Sequence, residues 1–279
     1  MNIDRIPQIT LNDDVTIPQL GFGVFKVDPG ETERVVSAAL EAGYRHIDTA
    51  RIYDNEAGVG RAIAASGIPR EELFITTKLW NDDQPTAAAH AAIDLSLSKL
   101  GLDYVDLYLI HWPAPQRGTF VEAWLAMDEI ARAGKARSVG VSNFMPEHLE
   151  ALTAVSDRVP SVNQIELHPA FQQKETLAYT DAHGIRVEAW GPLGQGKYNL
   201  ATLPGWVELA EKHGRSVQQI AIRWHLQCGR IVIPKTTHKE RMLENLDVFD
   251  FELTDEDLAA IALTDTNMRV GAHPLEANW

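Results

Sequence analysis

Eight short β-rich runs, each followed by a stretch whose apolar residues recur at helical spacing, succeed one another along the whole 279-residue chain. The runs cover residues 20–24, 44–48, 73–78, 105–111, 136–141, 162–167, 186–190 and 230–234, and helical patterns lie between them at 32–42, 86–99, 120–133 and 216–227. A strand–helix alternation of this kind builds a parallel sheet with helical crossovers. The step averages roughly 30 residues, which suits the ~250 residues that a (β/α)₈ barrel divides among eight units. The expected fold class is therefore α/β, a (β/α)₈ TIM barrel. Residues 8–17 alternate around the polar turn Asn12-Asp13-Asp14 and read as a β-hairpin able to cap the barrel bottom. A doubly wound sheet is disfavoured, because Gly21-Phe22-Gly23 continues as Val24-Phe25-Lys26 and breaks the dinucleotide fingerprint G-x-G-x-x-G. No linker or composition break appears, so residues 1–279 are read as a single barrel domain.

Composition narrows the class of partner. A net charge of -14 repels phosphate backbones and argues against nucleic acid as the main ligand. No apolar run is long enough to span a bilayer, and the opening MNIDRIPQIT lacks the basic start and apolar stretch of a secretory signal. Cys228 is the only cysteine, which rules out an intrachain disulfide and fits a cytoplasmic location. A monomer without membrane or nucleic-acid partners, acting on a small molecule, is the expectation.

In a barrel, active residues belong at the C-terminal ends of strands and in the loops that follow. Asp48 ends the second run, Tyr53 lies in the loop after it, Lys78 ends the third and His111 the fourth. Neighbouring strands are ~4.8 Å apart, so these groups can converge. A lysine closing the run Leu73-Phe74-Ile75-Thr76-Thr77 needs a carboxylate partner or water, since an unpaired buried charge is costly. Hydride delivery to a carbonyl carbon creates an oxyanion that must take a proton from a nearby acid. Tyr53 would be that acid, with its pKa lowered by the Lys78 ammonium. Asp48 would hold Lys78, and His111 would orient the carbonyl oxygen.

The stretches Tyr44-Arg45-His46-Ile47-Asp48-Thr49-Ala50, Ile75-Thr76-Thr77-Lys78-Leu79-Trp80 and Asp106-Leu107-Tyr108-Leu109-Ile110-His111-Trp112 stand at these strand ends. With Gly140-Val141-Ser142-Asn143-Phe144, Asn163-Gln164-Ile165-Glu166-Leu167-His168-Pro169 and Ile233-Pro234-Lys235-Thr236, they resemble the aldo-keto reductase family over nearly the whole length. The resemblance implies NADPH-dependent carbonyl reduction, with Asp48, Tyr53, Lys78 and His111 as the catalytic tetrad. It also implies that Ser142, Asn143 and Gln164 hold the nicotinamide carboxamide and that Trp190, where many relatives carry tyrosine, stacks on the ring. Leu193 and Gln195 join the cofactor set. Lys235, Thr236 and Arg241 would take the adenosine 2′-phosphate, and Glu244 and Asn245 would reach the adenine. Residues 190–198 look most like the bacterial 2,5-diketo-gluconate reductase branch.

Singly, each of these residues has an ordinary structural use; their concurrence at successive strand ends is what carries chemistry. Residues 191–197 satisfy G-x-x-x-x-G-K, but Tyr198 stands where the motif needs Ser or Thr and no helix opens there, so a P-loop is rejected. One cysteine and scattered histidines supply no zinc spacing. Two competing functions are a barrel glycosidase using Glu166 and Glu188, and a non-catalytic nucleotide-binding subunit. For the reductase, Phe22, Trp80 and Trp112 would form an apolar wall, with His111 and Tyr53 as the polar groups at the reacting carbon. That pocket favours compact aldehydes, α-dicarbonyls and keto sugars over fused-ring steroids. The short tail, residues 265–279, implies an open pocket unless Trp279 folds back over it.

Overall fold

The computed structural model describes residues 6–279; the first five, part of the stretch read for a secretory signal, lie outside the described residues. Two strands, β1 (Gln8–Thr10) and β2 (Thr16–Pro18), pair antiparallel as the expected hairpin. Eight parallel strands follow: β3 (Phe22–Gly23), β4 (His46–Asp48), β5 (Phe74–Leu79), β6 (Val105–Ile110), β7 (Ala136–Ser142), β8 (Val162–Glu166), β9 (Arg186–Trp190) and β10 (Ile231–Val232). Each pairs with the next in sequence, and a bridge between Leu20 and Val232 closes the cylinder. At that seam Gly21 donates to the Val232 carbonyl at 2.8 Å, and Val232 donates to that of Gln19 at 2.9 Å. The first and last strands are shorter than the sequence runs because Pro234 has no N–H to continue the seam.

The helices are α1 (Thr32–Ala42), α2 (Glu56–Ser66), α3 (Thr86–Leu100), α4 (Phe120–Arg132), α5 (Pro146–Thr153), α6 (Lys174–Ala182), α7 (Trp206–His213), α8 (Val217–Gln227), α9 (Lys239–Leu246) and α10 (Asp255–Ala262). Two of their starts carry reciprocal side-chain caps. Ser216 caps α8 in a reciprocal box with Gln219, and Thr254 does the same for α10 with Asp257.

Side chains alternate across each strand, so one set enters the barrel and the other meets the helices. Inside and low, Phe74, Leu107, Leu109, Val162 and Ile231 cluster with Leu11 and Ile17 of the hairpin, which thus plugs the bottom. Two residues further along the strands the interior turns polar, with His46, Thr76, Lys78 and Glu188 all fully buried. The outward set, including Phe22, Tyr44, Ile47, Ile75, Tyr108 and Ile110, packs under the helices.

Candidate active site

The polar layer culminates at the upper strand ends. Lys78 on β5 directs Nζ to both carboxylate oxygens of Asp48 on β4, at 2.7 and 2.8 Å, and to the carbonyl of Thr49 at 2.8 Å. An ammonium has three hydrogens, so this lysine is fully satisfied without the tyrosine. Tyr53 lies in the turn after β4 with its ring 5.2 Å from Nζ. The His111 ring stands edge-on to it at 5.5 Å, and Trp80 is likewise edge-on to His111 at 5.2 Å. Burial lowers His111 well below the ordinary histidine value, and the Lys78 charge adds to that, so the imidazole is neutral. For Tyr53 the sign is opposite to the sequence expectation. Burial, then the carboxylates of Asp48 and Glu188, hold its phenol well above the usual value.

From this floor a cleft of about 1030 Å³ runs across the top of the barrel to α9. Asp48, Tyr53 and His111 line it, together with Trp80, Trp112, Ser142, Asn143, Gln164, Trp190, Leu193, Gln195, Lys235, Thr236, Arg241, Glu244 and Asn245. Lys78 lies beneath the floor, out of the lining. Asn143 takes a left-handed backbone and spends both amide hydrogens on the His111 carbonyl (2.9 Å) and Ser142 Oγ (3.1 Å). Its Oδ1 accepts the Trp190 indole N–H at 2.8 Å, which fixes the plane of that ring. At the far end Lys235 and Arg241 are exposed and make no ion pair among the described residues.

The model of the aldo/keto reductase family matches residues 19–265, which contain every strand of the barrel. This chain belongs to the aldo/keto reductase family. An aldo-keto reductase of Mycolicibacterium smegmatis is 52% identical over 273 residues, covering 98% of each chain. The morphine 6-dehydrogenase of Pseudomonas putida is 46% identical, covering 98% of this chain and 96% of its own. Among solved structures, a Bombyx mori aldo-keto reductase in complex with NADP superposes with a TM-score of 0.89 at 40% identity, over 96% of this chain and 95% of its own.

Within this aldo/keto reductase, one expected wall residue is elsewhere. Phe22 is fully buried against Tyr44, ring centroids 5.3 Å apart, on the outward face of β3, and does not line the cleft. Strand alternation explains the error: Gly23 faces inward, and the chain turns so that Phe25, not Phe22, reaches the rim and packs on Tyr53 at 5.0 Å. Lys26, Ile52 and Tyr198 also line the cleft without having been singled out as site residues. Phe25, Lys26 and Ile52 sit in loops after strands, so the rule that placed Tyr53 could have found them.

The tail folds back. The buried Glu166 carboxylate accepts the backbone N–H groups of Val270 at 2.5 Å and Gly271 at 2.9 Å. A side chain at position 271 would have its Cβ 2.5 Å from the Trp190 ring, so glycine is needed for this close passage. Asn81 then donates to the Trp279 carbonyl at 2.8 Å, and the Trp279 ring leans on Trp112 at 5.6 Å. The pocket is therefore less open than the tail's length implied. Neither Glu166 nor Glu188 lines the cleft, which removes the carboxylate pair that a glycosidase would need. Among the described residues no helix is long and apolar enough to cross a membrane.

Proposed function

We propose that this chain uses NADPH to reduce compact aldehydes, α-dicarbonyls or keto sugars, with Tyr53 as the proton donor. The observation that carries the reading is the satisfied Lys78–Asp48 pair directly beneath Tyr53 and His111, at the floor of a cleft that ends at Lys235 and Arg241, which make no ion pair among the described residues. The donor set suits a phosphorylated dinucleotide. Lys235, Thr236 and Arg241 would hold the 2′-phosphate, Glu244 and Asn245 the adenine, and Leu193 and Gln195 line the cleft between. Ser142 and Gln164 would receive the nicotinamide carboxamide, while Asn143 acts through the Trp190 plane it fixes. The NADP complex of the Bombyx mori relative supports the same choice of cofactor.

When bound, NADPH supplies the hydride for the carbonyl carbon. Neutral His111 donates a hydrogen bond to the carbonyl oxygen and sets its position without bringing a competing charge. Tyr53 gives its proton to that oxygen. A phenol held above its ordinary pKa stays protonated until transfer, and the negative charge it then acquires develops beside the Lys78 ammonium. Trp80, Trp112 and Phe25 exclude water from the reacting carbon, and Trp279 restricts the mouth.

Resemblance in residues 190–198 makes 2,5-diketo-gluconate a candidate substrate. The test is NADPH oxidation, followed by absorbance, with methylglyoxal, small aromatic aldehydes, 2,5-diketo-gluconate and a ketosteroid. Morphine with NADP⁺ is included because of the name of the Pseudomonas putida relative. Small dicarbonyls are expected to give the highest kcat/KM. A preferred steroid or morphine would overturn the pocket argument, and no turnover with any member would overturn the reductase reading.

A further inference from the structure

The reaction described above leaves Glu188 without a part, although it is fully buried in the barrel one strand away from Gln164. Its Oε2 accepts a hydrogen bond from Gln164 Nε2 at 2.7 Å, and the same Nε2 donates to Asp48 Oδ2 at 2.8 Å. An amide nitrogen carries two hydrogens, so both are spent. The orientation is not arbitrary. Asp48 is ion-paired with Lys78 and can only accept, so the nitrogen and not the oxygen of the amide must face it. Oε1 is then the polar atom of the Gln164 side chain that makes no hydrogen bond among the described residues, on a residue that lines the cleft.

The surroundings of Glu188 keep it in this role. Its Oε1 lies 3.5 Å from Nε2 of His46, which in turn contacts Thr76 Oγ1 at 3.2 Å. Burial, reinforced by the Asp48 charge, raises Glu188 to about 8, and burial lowers His46 to about 3. At neutral pH the layer therefore holds one ion pair, a protonated carboxyl and a neutral imidazole. A protonated carboxyl has a carbonyl oxygen left to accept from Gln164.

We propose that Glu188 is a positioning residue: it pins the Gln164 amide so that Oε1 alone faces the cleft, as acceptor for the N–H of the nicotinamide carboxamide. The inference rests on the NADPH reading above. With Glu188 removed, the amide is tied at one point, to Asp48, and its terminal torsion is broad enough to let it swing.

Quenching of tryptophan fluorescence gives the Kd of NADP⁺ and of 3-acetylpyridine adenine dinucleotide phosphate, whose acetyl group replaces the carboxamide and has no N–H to donate. Glu188→Met, which keeps the volume, and Glu188→Ala are each compared with the parent; whichever folds reports the result. The Kd of NADP⁺ is expected to rise about fivefold, as for loss of one hydrogen bond, while that of the analogue moves less than twofold. Glu188→Gln, whose side-chain oxygen can accept the same N–H, is expected to retain both affinities. Equal weakening of the two nucleotides, or no change in either, would overturn the role given to Glu188 while leaving NADPH use intact. A parent that binds neither nucleotide would overturn both.

Discussion

Lys78→Met separates what the buried ion pair does for the fold from what it does for the reaction. The lysine contributes three hydrogen bonds from a fully buried position, at 2.7, 2.8 and 2.8 Å. Its loss leaves Asp48 with only the Gln164 amide and strands the Thr49 carbonyl. Removing one partner of such a pair costs about 3–5 kcal/mol. Unfolding entropy of about 2.1 cal/mol/K per residue gives a chain of this length about 0.6 kcal/mol/K, so Tm should fall by about 5–8 °C. Adding Asp48→Asn removes the stranded charge and should restore at least half of that loss. Turnover should not return, because the charge beneath Tyr53 is still missing; a loss of about 10²–10⁴-fold is expected in both variants. Thermal melts by circular dichroism and an NADPH oxidation assay read the two effects independently. Turnover of Lys78→Met within tenfold of the parent, or a double variant no more stable than the single one, would refute the reasoning.

Tyr53→Phe should lower turnover by about 10²–10⁴-fold while NADPH affinity, from fluorescence titration, stays within threefold. Lys235→Gly or Arg241→His should narrow the preference for NADPH over NADH by about tenfold, read as the ratio of Kd values; equal affinities in the parent would refute the 2′-phosphate placement. Trp279→Ala removes the ring that leans on Trp112, so KM for a small aromatic aldehyde should rise several-fold with little change in kcat. Stability should also respond to pH from both sides. Burial lowers His46 to about 3 and His111 and His225 well below the ordinary value. The unfolded chain therefore binds protons that the native one refuses, and stability drops as pH falls below about 6.5. Glu188, raised to about 8, acts oppositely: its contribution is complete below the unfolded carboxyl value and is lost as pH rises through 8. A Tm series from pH 4 to 9 should show both declines, and Glu188→Gln should remove the alkaline one.

Strand positions were legible because each run is short, β-rich and punctuated, and one rule about strand ends then located Asp48, Lys78 and His111 within a residue of where the strands stop. Phe22 was misplaced because Phe22 and Phe25 stand on either side of Gly23-Val24, and only the inward or outward parity of β3 decides between them. The approach of Trp279 to Trp112 spans most of the chain and leaves no local signature. The direction of the Tyr53 shift was also hidden: charge types could be read from the residues, but desolvation depends on how deeply the ring is packed. Glu188 was noticed as a carboxylate at a strand end, yet its strand parity turns it toward Gln164 and His46, below the cleft.

The hairpin at the barrel bottom governs traffic. With Leu11 and Ile17 stoppering the lower end, the polar floor opens upward into the cleft that passes Trp80, Trp112 and Trp279 and continues to α9. On the proposed reading, a nicotinamide held by Ser142 and Gln164 would be covered by a carbonyl compound held by His111 in the same cleft. Loading is then expected to run nicotinamide first and carbonyl second, and emptying in reverse, so the plug at one end of the barrel sets the order of events at the other.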